Sequence, residues 1–135
     1  MDLAAGAKAD VLIVDDNAAF AEFVRDAAEY CGRSAVVITN STNFMEQCRV
    51  VRPRTVVLDI EMPDINGFQL AQWLGEFEAE LAEPVQLVIV SGKGIDVLRL
   101  GGSVAEISGL QNVNLLTKPI ELASLIQIFR GERTG

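Results

Sequence analysis

The stretch RTVVLDIEMPDING, Arg54–Gly67, decides how the chain is read. From Thr55 to Leu58 every residue is apolar or β-branched, which describes a strand buried on both faces. The run then meets Asp59, a second acid at Glu61, the pair Met62-Pro63 and the turn pair Asn66-Gly67. Proline and Asn-Gly stop a strand, so this one carries a carboxylate to its own carboxyl end and finishes there. What that carboxylate can do depends on what the other strands bring beside it.

Outward from this stretch the chain alternates. VLIV (11–14), AVVI (35–38), TVVL (55–58), VQLVIV (85–90) and VNLL (113–116) are short, β-rich runs with little alternation. Helical patterns lie between them. Phe20, Phe23, Val24, Ala27 and Cys31 form one stripe, closed by Gly32, and Phe44, Cys48 and Val51 a second, closed by Pro53. Leu70, Trp73, Leu74, Phe77 and Leu81 form a third, ended by Pro84; a fourth pattern joins Ile95, Leu98, Val104 and Ile107, and a last helix is predicted from about 120 to 130. Five strand-then-helix units with short connections predict an α/β, doubly wound (βα)5, flavodoxin-like three-layer sandwich. Its five-stranded parallel sheet has order 2-1-3-4-5 and right-handed crossovers. The aromatic and aliphatic stripes are assigned to the core.

Length, charge and residue usage limit the chemistry. The chain has 135 residues, enough for one domain with a real core, and its 50% hydrophobic and 22% charged residues are a globular balance. The expected division is a disordered lead-in over 1–9, a domain over 10–130 and a tail over 131–135. Eleven basic residues against 19 acids, a net charge of −8, oppose a nucleic-acid surface. No apolar run approaches the ~18 residues of a membrane span, and no export signal is visible, which predicts a cytoplasmic protein. Cys31 and Cys48 fall inside helical patterns without metal spacing and read as reduced core thiols. The absence of His removes Ser-His-Asp catalysis and imidazole metal sites.

The polar exceptions all fall at carboxyl ends of strands. Asp15 and Asp16 follow the first strand, Asp59 and Glu61 the third, Ser91 the fourth, and Thr117-Lys118-Pro119 the fifth. In order 2-1-3-4-5 the strand order reverses between the first and third strands, where ligands of such sheets bind, so Asp15, Asp16 and Asp59 should converge. Two carboxylates about 4 Å apart repel by roughly 4 kcal/mol at an effective dielectric near 20, so such a trio needs a cation. Few protein oxygens suit Mg2+, which keeps several of its waters. Lys118 and the Ser91 hydroxyl complete a pocket for a tetrahedral dianion, in which Asp59 would act as nucleophile toward a phosphoryl group.

VDDN at 14–17, LDIEMPDINGF at 58–68, VSG at 90–92 and TKP at 117–119 closely resemble the receiver domain of bacterial two-component response regulators, over about residues 9–130. The resemblance implies phosphoryl transfer from a sensor histidine kinase or His-phosphotransfer protein onto Asp59, the phosphoacceptor. It implies Mg2+ held by Asp15, Asp16, Asp59 and the backbone carbonyl of Glu61, Ser91 as the switch hydroxyl, Lys118 as the phosphate-pairing lysine, and a cis Lys118-Pro119 bond. Such a domain is not an enzyme beyond catalysing its own phosphorylation and dephosphorylation. Partners would be the phosphodonor and, through the face of the fourth helix, fifth strand and fifth helix, a downstream protein reader or a second copy, with no nucleic acid and no membrane.

Two departures stand out. Leu115 occupies the place, three before the lysine, where many receivers carry Tyr or Phe, so the signal is expected to leave through Gly92-Lys93-Gly94 and the segment 95–107. Gly101 and Gly102 weaken that segment by about 1 kcal/mol each relative to Ala, which suits either a loose fourth helix that shifts or a break into two short helices. Glu61 is expected to overhang the phosphoryl group. Only 17 residues follow Lys118, so the chain is expected to be a stand-alone receiver or the N-terminal piece of a larger regulator. The alternatives are a phosphorylation-independent pseudo-receiver, a haloacid-dehalogenase-type phosphatase, whose acid motifs run in the other order, and a flavodoxin-like cofactor binder, whose phosphate Asp15 and Asp16 would repel.

Overall fold

A computed structural model describes residues 8–40, 42, 44–60, 67–81, 84–92, 103, 109–110 and 112–131. The described elements are β1 (Val11–Val14), α1 (Ala18–Tyr30), β2 (Ala35–Ile38), α2 (Phe44–Val51), β3 (Thr55–Asp59), α3 (Gly67–Leu81), β4 (Gln86–Ser91), β5 (Asn112–Thr117) and α4 (Leu122–Phe129). The five strands form one parallel sheet in the order β2-β1-β3-β4-β5, as the alternation and strand-end chemistry predict. The segment 95–107 lies outside the described residues except for Ser103, as does Glu61.

Strand side chains alternate between two cores because the pleat has a period of two. Leu12 and Val14 of β1, Val56 and Leu58 of β3, and Leu87 and Ile89 of β4 pack with Phe44, Cys48 and Val51 of α2 and Leu70, Leu74 and Phe77 of α3. Val11 and Ile13, Val57, and Val88 and Val90 face the other way, onto Ala21, Val24, Ala27 and Ala28 of α1 and Leu125, Ile128 and Phe129 of α4. Between their polar ends the central strands are therefore apolar on both faces, and each fully buried Val, Leu or Ile contributes about 1.5–3 kcal/mol. The edge strands differ from the sequence expectation of burial on both faces: Val36 alone is buried in β2, and no residue of β5 is. Each edge strand has a sheet neighbour on only one side.

Local signals end the helices where the sequence placed them. Asn17 caps α1, its side chain accepting from the Phe20 N–H at 3.1 Å. At the other end Gly32 is left-handed (φ +77°), the Gly32 N–H donates to the Glu29 carbonyl and the Arg33 N–H to the Ala28 carbonyl, a Schellman close. Arg52 after α2 is also left-handed (φ 52°), with Pro53 preventing continuation of the helix.

Arg33 then ties the floor of the sheet. Its Nε donates to Asp10 at 2.7 Å, and its two terminal nitrogens donate to Thr55 Oγ1 at 2.8 Å and to the Phe129 carbonyl at 3.2 Å. Thr55, itself buried, donates on to Gln86 at 3.0 Å. One guanidinium thus links the starts of β1, β3 and β4 to the end of α4, leaving the opposite rim for the polar strand ends.

Candidate functional site

Parallel pairing brings the carboxyl ends of β1, β3, β4 and β5 to one rim. Val14 pairs with Leu58, Asp59 with Val90, and Ser91 with Thr117, so Asp15, Asp59, Ser91 and Lys118 emerge side by side. The Asp15 N–H donates to the Ile38 carbonyl at 3.2 Å and the Lys118 N–H to the Ser91 carbonyl at 2.8 Å, so the backbone of both is fixed. Asp15, Asp59 and Ser91 are all buried, at 2%, 5% and 0% exposure, a rare placement for acids without a charged or metal partner.

One carboxylate oxygen from each of Asp15, Asp16 and Asp59 lies within 4.8 Å of the other two, so the three acids singled out from the sequence do converge. Asp16 is exposed whereas the other two are enclosed. Lys118 Nζ stands 3.4 Å from Asp15 Oδ2 and 3.6 Å from Asp59 Oδ2, one ammonium shared by two buried carboxylates. Asp15 Oδ1 accepts from the Asn17 N–H at 2.9 Å. The Lys118-Pro119 bond is cis, in agreement with the expectation. Leu115 is half-buried, pairs with Ile89 and packs against the core on the α2–α3 side.

Burial and charged neighbours set the electrostatics of Asp15. Burial pushes its pKa above the ordinary 3.8 and the Asp59 charge adds to this, while the Asn17 hydrogen bond and Lys118 act in the opposite direction. A divalent cation beside Asp15 would act in the same direction as Lys118, favouring the charged carboxylate. All the donors are carboxylate oxygens, the hard ligands that Mg2+ prefers, and their incomplete shell leaves room for water.

Two features of the rim were not read from the sequence. Phe20, assigned to a core stripe, turns its ring face to Lys118, with Nζ 4.3 Å from the ring centroid. Phe20, Phe23, Lys118, Pro119 and Ile120 also line an open apolar hollow of about 480 Å³ between α1 and the β5–α4 loop. Its sequence signal was the helical register, three residues past the Asn17 cap and on the same side as the strand ends.

A family model described as the response regulator receiver domain matches residues 11–130. The chain belongs to that family. This receiver is 28% identical over 122 residues to the polar-differentiation response regulator DivK of Brucella anthropi, covering 89% of this chain and 92% of that one. Among solved structures it is similar to a response regulator from Colwellia psychrerythraea (25% identity, TM-score 0.70, 90% and 93% covered). The Vibrio cholerae chemotaxis protein CheY4 shares the fold (17%, TM-score 0.74, 94% and 100% covered). The chain is thus a receiver domain of a two-component response regulator, and its acidic pocket of Asp15, Asp16 and Asp59 fits a phosphoacceptor site. Receivers are in general signalling domains rather than enzymes, bind Mg2+ at such a cluster, and interact with histidine kinases and downstream effectors. Among the described residues no helix is long and apolar enough to cross a membrane.

Proposed function

We propose that Asp59 is the phosphoacceptor, receiving a phosphoryl group from a sensor histidine kinase or His-phosphotransfer protein in the cytoplasm. The observation that carries this reading is the gathering of three carboxylates within 4.8 Å, two of them sharing the Lys118 ammonium. Asp59 attacks phosphorus as the donor imidazole leaves, forming an acyl phosphate. Lys118 moves no proton; it pairs with the oxygens of the transferring group, where charge is concentrated. Ser91, buried at the end of β4, has its hydroxyl at hand to accompany a phosphoryl oxygen once one is there.

Bound Mg2+, held by Asp15, Asp16 and Asp59, would offset the charge of the acids and of the incoming phosphoryl oxygens. Asp15 orients this set through its bond from Asn17, and Asp16, being exposed, is the acid through which the site meets solvent. The Glu61 carbonyl completes the proposed ligand set. The phosphodonor approaches over the amino end of α1, and a downstream protein or a second copy reads the result on the β5 side.

The test is incubation with acetyl phosphate, with and without Mg2+, followed by intact mass. The wild type should gain about 80 Da, one phosphoryl unit, only with Mg2+, and Asp59→Asn should gain nothing. An unmodified wild type would instead favour the phosphorylation-independent alternative.

A further inference from the structure

The rim holds a closed circuit of contacts that the acids and lysine alone do not require. Asp15 Oδ1 accepts from the Asn17 N–H at 2.9 Å, and Asn17 Oδ1 accepts from the Phe20 N–H at 3.1 Å. The Phe20 ring lies under Lys118 Nζ at 4.3 Å, and Nζ returns to Asp15 Oδ2 at 3.4 Å. The helix cap therefore fixes the backbone from which the ring projects, and the ring stands against the Lys118 ammonium, which touches both buried acids.

We propose that Phe20 is a positioning residue for Lys118, its ring face holding the ammonium over Asp15 and Asp59 where the phosphoryl oxygens arrive. This rests on the phosphoacceptor reading of Asp59. The lysine side chain is 25% exposed, so water competes for it and its long stem has other rotamers open to it. An aromatic face offers an ammonium attraction without accepting a conventional hydrogen bond, so the N–H donors stay directed at the acids. The distance is well inside the ~6 Å reach of a cation–π contact, and at such a half-exposed place the contact is worth about a 2- to 30-fold bias toward the inward lysine. A leucine would keep an apolar side chain at the hollow, yet would lack the quadrupole. Packing alone does not account for the ring, because Phe20 is only half-buried and lines an open hollow.

Two variants of the full chain separate positioning from packing: Phe20→Leu, which keeps an apolar side chain, and Phe20→Tyr, which keeps the ring. The first readout is the NMR shift of the Lys118 ε-methylene protons in the absence of any phosphodonor. These should be displaced upfield by the ring in the wild type and in Phe20→Tyr, and should return to the ordinary lysine position in Phe20→Leu. The second is the rate of phosphorylation by acetyl phosphate at saturating Mg2+, expected to fall about fivefold in Phe20→Leu and to be largely restored in Phe20→Tyr. Mg2+ itself, titrated by NMR, should bind Phe20→Leu at least as tightly as the wild type, because a loosened ammonium competes less for Asp15 and Asp59. An unshifted Lys118 signal in the wild type overturns the proposal, and so does equal slowing by Leu and Tyr. If the wild type accepts no phosphoryl group while the ε-methylene shift behaves as described, the phosphoacceptor reading has failed and the positioning contact stands.

Discussion

Replacing Asp15 by Asn should make the metal-free protein more stable, although it removes one partner of an ion pair. With carboxylate oxygens within 4.8 Å, Asp15 and Asp59 repel by at least about 3.5 kcal/mol at an effective dielectric of 20. The attraction of Asp15 to Lys118 at 3.4 Å is about 5 kcal/mol on the same scale, so the two nearly cancel. What remains is the desolvation of a carboxylate that is 2% exposed, a penalty of several kcal/mol per buried ion. The upward displacement of the Asp15 pKa, with burial as its leading cause, has the same sign. Asn retains an oxygen to accept the Asn17 N–H, and Lys118 retains Asp59. The expected gain is about 1–3 kcal/mol, or roughly 3–10 °C in the melting temperature of a domain this size. Thermal unfolding in chelator measures it. Adding Mg2+ should raise the wild type, by about 1.4 kcal/mol at ten times Kd, and leave Asp15→Asn almost unmoved. A variant that melts lower than the wild type in chelator would refute the reasoning, since the acid would then be satisfied by protein groups alone.

Acid should weaken Mg2+ binding earlier than an ordinary aspartate would allow. The folded pKa of Asp15 lies above 3.8, so the native state holds its proton over a window in which the unfolded chain has lost it. Metal-free stability from this group is therefore present below 3.8 and lost as pH rises through the folded value, while Mg2+ affinity rises over that window; calorimetric titration across pH 4 to 7 checks both signs. Arg33→Met should cost about 2–4 kcal/mol, because Asp10, Thr55 and the Phe129 carbonyl lose their shared donor, and urea unfolding would show the midpoint falling. Cys48 is fully buried and its thiol is pushed up to about 12, so native protein should resist alkylation there at pH 8 while the partly exposed Cys31 reacts; mass mapping distinguishes the two.

Strand positions were legible because short, β-branched apolar runs bounded by turn residues suit strands buried on both faces. Val11–Val14 and Thr55–Asp59 sit where unbroken apolar runs predicted them, with the acids directly at their carboxyl ends. Convergence of Asp15, Asp16 and Asp59 was readable for the same reason, since parallel strands bring their carboxyl ends to one rim. Less was visible at the edges: β5 is half-exposed, and a run such as VNLL does not reveal that it has a sheet neighbour on one side only. The Lys118–Phe20 contact was hidden because a helical stripe tells which side of α1 is apolar and not which ring reaches past the core to a lysine 98 positions along the chain. Arg33 was equally silent, its three acceptors coming from the residue before β1, from β3 and from the far end of α4. Glu61 and the segment 95–107 lie outside the described residues, apart from Ser103.

The central claim is that one carboxylate, Asp59, takes the phosphoryl group. Borohydride reduction of the protein after reaction with acetyl phosphate and Mg2+ converts an aspartyl phosphate to homoserine, whose position peptide mass spectrometry reads directly. Homoserine at position 59, absent without Mg2+, is the predicted result; homoserine at Asp15 or Asp16, or at no position, would contradict it.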